Sequence, residues 1–436
     1  MQAAEQQTLS VIRPLKHQKK TLRSEKQEVF LGGGVGAGKT QIGAIWSLLK
    51  IMETPPDVYG LIVSNTYSML YDTTLRVLYE KMLTAGMTVR PPEMPRGKGP
   101  ADLLVWNGKH FVRILCRSLD HYDRLSGLEV GWIWSDEVWM TKPEAIDVLN
   151  ARLRDTRMPK RQILYTTTLD APDSWMYSRF VENHQPHLQD VIYAQTADNP
   201  HLPENYVETL KSTYSEAVFK RMVLSQWVAL DSERIYIAFN RKENVADCTV
   251  ETSLPLLWSH DFNIGHGKPM SSCVLQYHKS SQTFTVVDEI ILDRADTNDA
   301  VAEFAARYRN HEAGVIVYGD ASGNARDTRS RMTDYEILRR AGFTHQKVPR
   351  ANPPVRERHN IVNALLKSAD GQVRVLIDPR CRILIKGLET VHLKKGAQYT
   401  EDDSQYEQHV TTALGYCLCV ETPTRPAPMQ QLNIRY

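Results

Sequence analysis

The stretch Gly32-Gly33-Gly34-Val35-Gly36-Ala37-Gly38-Lys39-Thr40 joins a free backbone to one cation and one hydroxyl. From Gly33 it fits the spacing G-x-x-x-x-G-K-[ST]. Gly33, Gly34, Gly36 and Gly38 let backbone N–H groups turn inward around phosphate oxygens with no Cβ in the way. Lys39 can reach the β- and γ-phosphates of a nucleotide, and the Thr40 hydroxyl can ligate Mg²⁺. A second stretch, Trp132-Ile133-Trp134-Ser135-Asp136-Glu137, stays largely apolar until it ends in adjacent carboxylates. That is a Walker B pattern, informative because a P-loop precedes it. Asp136 is expected to hold Mg²⁺, and Glu137 to orient and deprotonate an attacking water. A third set is Asp261 and Asp320, each at the end of an apolar run. Carboxylates on neighbouring strand ends can hold two divalent ions that clamp a scissile phosphate.

Other side chains could serve these centres. Gln18 precedes the P-loop, and an amide can pair with both the donor and the acceptor edge of adenine. It sits among Arg13, Lys16, Lys19, Lys20, Arg23 and Lys26, which read more simply as a solvated helix face. Thr166-Thr167-Thr168 follows a strand, where hydroxyls could sense the γ-phosphate. Arg124, Arg152 and Arg154 are candidates for an arginine finger. Glu289 could support the Asp261/Asp320 pair from behind. Residues 320 to 358 are rich in arginine: Arg326, Arg329, Arg331, Arg339, Arg340, Arg350, Arg356 and Arg358. Phosphate-backbone contacts and a solvated charged helix both account for them.

The elements that must position these groups follow from periodicity. Val29-Phe30-Leu31 reads as a buried strand feeding the P-loop, and Thr40 to Met52 as the helix behind it. Val58 to Ser64, Lys109 to Cys116 and Arg161 to Tyr165 read as further strands. Met69 to Leu83 is an amphipathic helix, and 90 to 100 a proline-rich loop. In the second half, 256 to 260, 270 to 278 and 283 to 291 are strands. A helix over 297 to 309 and a strand over 315 to 319 follow. Three strands, a helix and a parallel strand are the opening order of an RNase H-like fold. The expected class is α/β: a P-loop ATPase domain with a parallel sheet, then an RNase H-like nuclease domain. The expected boundaries are 1–228, a linker at 229–253, 254–420, and a flexible tail at 421–436.

At 436 residues the chain exceeds one ordinary core, so two domains are expected. Hydrophobic residues at 42% and charged residues at 24% describe a soluble globular protein. A net charge of +2 excludes a histone-like polycation but not a local basic channel. No apolar run approaches a membrane span, and the N-terminus is not signal-like. The six cysteines form no C-x-x-C pair, which argues for free thiols in a reducing cytoplasm.

Taken together, the chain resembles the large terminase subunit of a tailed bacteriophage over nearly its full length. GGGVGAGKT, WIWSDE, TTT, DFNIG at 261 and YGDASGNARDT at 318 carry the resemblance, with NPPVRERHNIVNALL at 352 and HVTTALGY at 409. It implies an ATPase that pumps double-stranded DNA into a prohead, joined to a nuclease that cuts concatemeric DNA. ATP with Mg²⁺, and a pair of Mg²⁺ or Mn²⁺ ions at the nuclease, are the implied cofactors. Implied partners are DNA, the portal protein, the small terminase subunit and further copies in a ring, with no membrane. The implied location is the host cytoplasm, on the assembling particle rather than in the mature virion. Gln18 falls at the adenine, Lys39 and Thr40 at the phosphates, and Thr166 to Thr168, Thr167 among them, at the coupling motif. Arg124, in DRLSG, matches a finger acting on a neighbouring subunit. Asp261 and Asp320 match two of three nuclease aspartates.

The chain departs from that pattern once. Related sequences read like H-x-x-D-A-L-G-Y in the last helix, whereas here Thr412 stands at the expected Asp. A neutral hydroxyl cannot replace a carboxylate at a hard cation. Either Asp402, Asp403, Glu407 or His409 substitutes, or the second metal binds weakly; of the four, Asp403 is the expected third ligand. Two alternatives remain: a helicase- or repair-type ATPase, and a motor whose C-terminal domain binds DNA without cutting.

Overall fold

The computed structural model describes residues 13–95, 99–172, 174–228, 234–263, 268–324, 332–394 and 399–422. The chain divides into two compact units, 1–207 with 220–229 and 208–219 with 230–436.

The first unit is built on strands β1 (Glu28–Gly33), β2 (Tyr59–Ser64), β3 (Val89–Arg90), β4 (Ala101–Trp106), β5 (Phe111–Ser118), β6 (Trp132–Asp136), β7 (Gln162–Thr167) and β8 (Gln189–Ala194). Their order across the sheet is β3-β4-β5-β2-β6-β7-β1-β8. From β5 to β8 every neighbouring pair is parallel. Parallel strands need both faces covered, which is why β1, β6 and β7 are buried throughout. Because these strands run one way, Ser118, Ser64, Asp136, Thr167, Gly33 and Ala194 all end at one edge. Helix Lys39–Glu53 packs Ile42, Ala44, Trp46 and Ile51 into the core. The helix expected over 69 to 83 is present from Tyr67 to Thr84, but Leu70–Leu75 within it is π-helical. Strands β4 and β8 and helix Pro143–Arg152 add to the sequence reading.

The second unit has a five-stranded sheet of β9 (Leu256–Asp261), β10 (Met270–His278), β11 (Thr283–Leu292), β12 (Val315–Gly319) and β13 (Val375–Ile377). The order is β12-β9-β10-β11-β13. Strands β9, β10 and β11 run antiparallel, and β12 lies parallel to β9. Helix Thr297–Tyr308 makes the crossover between β11 and β12. This is the RNase H-like order, with β13 added parallel to β11 at the far edge. Helix Gln408–Glu421 packs across β9, β10 and β12 and is buried along most of its length.

The expected linker needs correction over its described part. Ile235, Tyr236 and Phe239 are buried in the second core, and Ile235 N–H donates to Val391 O at 2.8 Å. Apolar side chains at 235, 236 and 239 bury themselves rather than span solvent, so this segment belongs to the second unit. The tail lies outside the described residues beyond 422. Among the described residues no helix is long and apolar enough to cross a membrane.

Candidate functional site

The P-loop leaves β1 at the shared strand edge. Gly38 adopts φ 83° and Gly36 φ 75°, backbone that L side chains rarely adopt. A Cβ on Gly34 would come within 2.7 Å of Val223 O, so the loop is held tightly there. Gly34 N–H donates to Ala194 O at 2.8 Å and Val35 N–H to Met222 O at 2.7 Å. Helix Lys39–Glu53 then starts with its first-turn N–H groups at the loop, an anion-binding arrangement. Lys39 Nζ donates to Gly33 O at 2.9 Å and Gly34 O at 3.0 Å, so it is held inside the loop. Burial lowers its pKa.

Asp136 ends β6, two strands from the P-loop, and is fully buried. Three hydroxyls converge on it. Thr166 donates to Oδ1 at 2.6 Å; Thr74 donates to Oδ2 at 2.8 Å, and Thr40 to the same oxygen at 3.3 Å. Glu137 follows in left-handed backbone, φ 56° and ψ 48°. For a non-glycine residue this is strained, and such strain gathers at functional sites. Burial raises both carboxyls above the ordinary range, and Lys39 opposes this for both.

In the second unit, β9 and β12 are parallel neighbours with Gly319 paired to His260. Asp261 and Asp320 therefore leave adjacent strands at one edge. Burial raises the Asp320 pKa, a Ser322 hydrogen bond opposes this, and the Asp261 charge adds to the rise. His409 Nδ1 lies 2.8 Å from Asp261 Oδ2. His409 is buried, and its Nε2 has no partner among the described residues. His260, the residue before Asp261, is buried and stacked on Phe262, and its pKa is pushed down to about 3 by burial.

Residues 30–243 match the family model described as "Terminase large subunit, T4likevirus-type, N-terminal". Over those residues the chain is similar to the N-terminal part of large terminases. It is similar to the large terminase of a thermophilic bacteriophage, at 17% identity and TM-score 0.66, covering 93% of this chain and 98% of that one. The same phage's large terminase, solved in complex with ATP-γ-S, matches at 17% identity and TM-score 0.65, covering 94% and 99%. At this identity the likeness speaks for the fold of both units. No curated protein matches.

Within this chain, Gly33, Gly34, Gly36, Gly38, Lys39, Thr40, Asp136 and Glu137 come together as one site. Gln18 reaches it too, but both ends of its amide are engaged. Oε1 accepts Leu15 N–H at 2.9 Å, and Nε2 donates to Gly38 O at 3.3 Å. Of the threonines, Thr166 meets Asp136. Thr167 instead donates to Thr168 O at 2.9 Å and accepts Trp139 N–H at 3.0 Å. Arg124 is exposed in the turn Tyr122–Leu125 after β5. Arg152 and Arg154 lie at the wrong end: Val130 N–H, ahead of β6, donates to Arg152 O, and Asp155 N–H donates back to Val130 O. They are at the strand's start, while Asp136 is at its end.

Asp403 differs from expectation. It is exposed and ion-paired with Lys268, and no hydrogen bond joins it to Asp261 or Asp320 among the described residues. Asp402 is held by Ser404, and Glu407 by Lys386. Among the described contacts of these substitutes, His409 alone touches Asp261. Thr412 donates to Glu401 Oε1 at 3.2 Å. Glu401 also pairs with Arg358 and His359. Burial would raise its pKa, but these two partners hold it down at about 2. Arg358 is thus a buried structural cation, not a phosphate contact. Arg326, Arg329 and Arg331 lie outside the described residues. Glu289 accepts N–H groups from Ile383 and Leu384 at 2.9 and 2.8 Å, so it caps helix Arg382–Thr390 rather than backing Asp261.

Sequence reasoning missed Thr74. A threonine on an amphipathic helix carries no signal by itself. Thr74 lies in the π-helical turn, and its hydroxyl reaches Asp136.

Proposed function

We propose that this chain is the packaging motor of a tailed bacteriophage, hydrolysing ATP to drive double-stranded DNA into a prohead and cutting concatemeric DNA with its second unit. The reading rests on one observation: the P-loop cation Lys39, the Thr40 hydroxyl and the carboxylates Asp136 and Glu137 meet at one strand edge. The likeness to large terminases and the nuclease-like strand ends of the second unit give that ATPase its task.

The residues fit a hard cation at both centres. Asp136 is a buried carboxylate with hydroxyl neighbours, and Thr40 is the second oxygen donor. In the second unit two carboxylates repel across adjacent strand ends, and His409 offers an unpartnered nitrogen. No group of three or more His, Cys, Asp or Glu side chains stands ready-made as a metal cluster among the described residues. The nuclease fit therefore rests on Asp261, Asp320 and His409. When bound, divalent ions would neutralise charge on phosphate oxygens and sharpen a nucleophile.

Lys39 leaves its carbonyls to pair with the transferred phosphate, and first-turn N–H groups hold the others. Glu137, fixed by hydrogen bonds from the Thr168 backbone and the Trp139 side chain, takes the proton from the attacking water. Gln18 would read adenine by turning from Gly38, and Arg124 would reach a neighbouring copy in a ring. Docking on the portal, recruitment of a small subunit and work in the host cytoplasm complete the reading.

The test is DNA protection from DNase in the presence of proheads and ATP. Wild type should protect DNA, Lys39→Ala should not, and Asp320→Asn should lose Mn²⁺-dependent plasmid nicking while keeping ATPase activity. Protection without proheads or ATP would point to simple coating. Because Thr412 faces Glu401, a second reading is a motor that binds DNA there without cutting. Absence of nicking by wild type would favour it.

A further inference from the structure

We propose that the outer face of helix Lys16–Arg23 is a docking surface for the phosphate backbone of duplex DNA. This rests on the packaging reading and gives it a location. Lys16, Lys19, Lys20 and Arg23 follow at i, i+3, i+4 and i+7, so they form one stripe. All four are exposed. Among the described residues none of them makes an ion pair. The stripe forms one wall of a trough of about 650 Å³, with β8 opposite. The trough's one carboxylate, Asp190, already accepts the Ser24 hydroxyl at 2.5 Å. Four cations thus share a concave surface with a single carboxylate, which leaves the trough an excess of positive charge.

The inner face of the same helix is fixed. His17, Gln18 and Thr21 are buried. His17 Nε2 lies 2.9 Å from Ala37 O, and Gln18 reaches Gly38. The cations are therefore mounted rigidly on the P-loop, unlike a fraying terminal helix.

The chemistry of the stripe selects the partner. Protein interfaces deplete lysine at their centre and anchor on aromatic side chains. This trough is lysine-rich and lined by no aromatic residue. It offers no amide for base edges, since Gln18 faces inward, so the contact is to backbone and independent of sequence. An eight-residue helix spans about 12 Å, enough to meet several phosphates of a duplex. Duplex bound here bears on the helix that holds His17 and Gln18 against the loop, so DNA should alter ATP turnover through it.

The experiment compares the full chain with the triple variant Lys16→Gln, Lys19→Gln, Lys20→Gln, using a mixed-sequence duplex at graded salt. The slope of log K against log salt should become shallower by roughly 2–3, since each neutralised phosphate contributes about 0.9. Low-salt affinity should drop at least about tenfold by the same principle. DNA stimulation of ATPase should fall with it, while ATPase without DNA and the melting temperature stay unchanged. Equal slope and affinity in the two proteins would overturn the surface assignment alone. If wild type binds no duplex at any salt, the packaging reading falls as well. A variant that keeps duplex binding but loses binding to polyglutamate would overturn the proposal in favour of an acidic protein partner.

Discussion

Thr74 Oγ1 lies 2.8 Å from Asp136 Oδ2, joining a helix to a carboxylate 62 positions away in sequence. In a regular helix a threonine hydroxyl commonly bonds a carbonyl one turn back. Here Leu70–Leu75 is π-helical, and the hydroxyl bonds Asp136 instead. Thr74 is therefore a positioning residue for the Walker B carboxylate. Thr74→Val keeps the shape and removes the donor. It should lower ATP turnover about tenfold, as expected for losing one hydrogen bond to a charged group, and shift the Mg²⁺ dependence. Thr74→Ser should restore both. An unchanged Mg²⁺ titration in the valine variant would reduce Thr74 to a packing role.

Glu137 must be deprotonated to accept a proton from water. Burial raises its pKa, so the base form is gained only above the ordinary glutamate range. ATP turnover should rise with pH through that raised pKa and then level off. Glu137→Gln should retain ATP binding, lose about 10²–10⁴-fold in turnover and lose the rise with pH. Wild-type-like turnover in that variant would remove Glu137 from the role of base.

Arg124 stands exposed in the turn after β5, as a finger acting on another subunit would. Arg124→Ala subunits mixed with Lys39→Ala subunits should recover some ATPase activity at mixed interfaces. If rings form and mixing never rescues activity, Arg124 does not act in trans.

Glu401 tests the cluster beneath Thr412. Its folded-state pKa, about 2, lies below the ordinary 4.5. Its stabilisation is therefore full above about 4.5 and is lost as pH falls through about 2. The difference is on the order of 3 kcal/mol. Glu401→Gln leaves the Arg358 charge buried without its partner and should cost about 3–5 kcal/mol near neutral pH, read by chemical denaturation. Thr412→Asp sets a second carboxylate against Glu401. It should lower the melting temperature without reducing the metal needed for cutting. A lower metal requirement would show that position 412 does face the metals.

Chemistry that lives in consecutive residues can be read before any fold is known. A P-loop is a backbone shape written by its own glycines, and a buried strand ending in Asp136-Glu137 needs only its neighbours. Asp261 and Asp320 were legible for the same reason, since each ends an apolar run. Strand β4 was lost beside a proline-rich loop, and β8 behind a polar segment. Which side chains meet was settled by packing. Sheet order gave Asp136 to Thr166 rather than Thr167, and set Arg152 and Arg154 at the opposite strand end. Thr74 reaches Asp136 from a π-helical turn. Packing of helix Gln408–Glu421 across β9 brought His409 to Asp261 and turned Thr412 toward Glu401, while Asp403 stayed at the surface with Lys268. These pairings join residues far apart in the chain, and their geometry is set by strand register and helix phase, which no local spacing encodes.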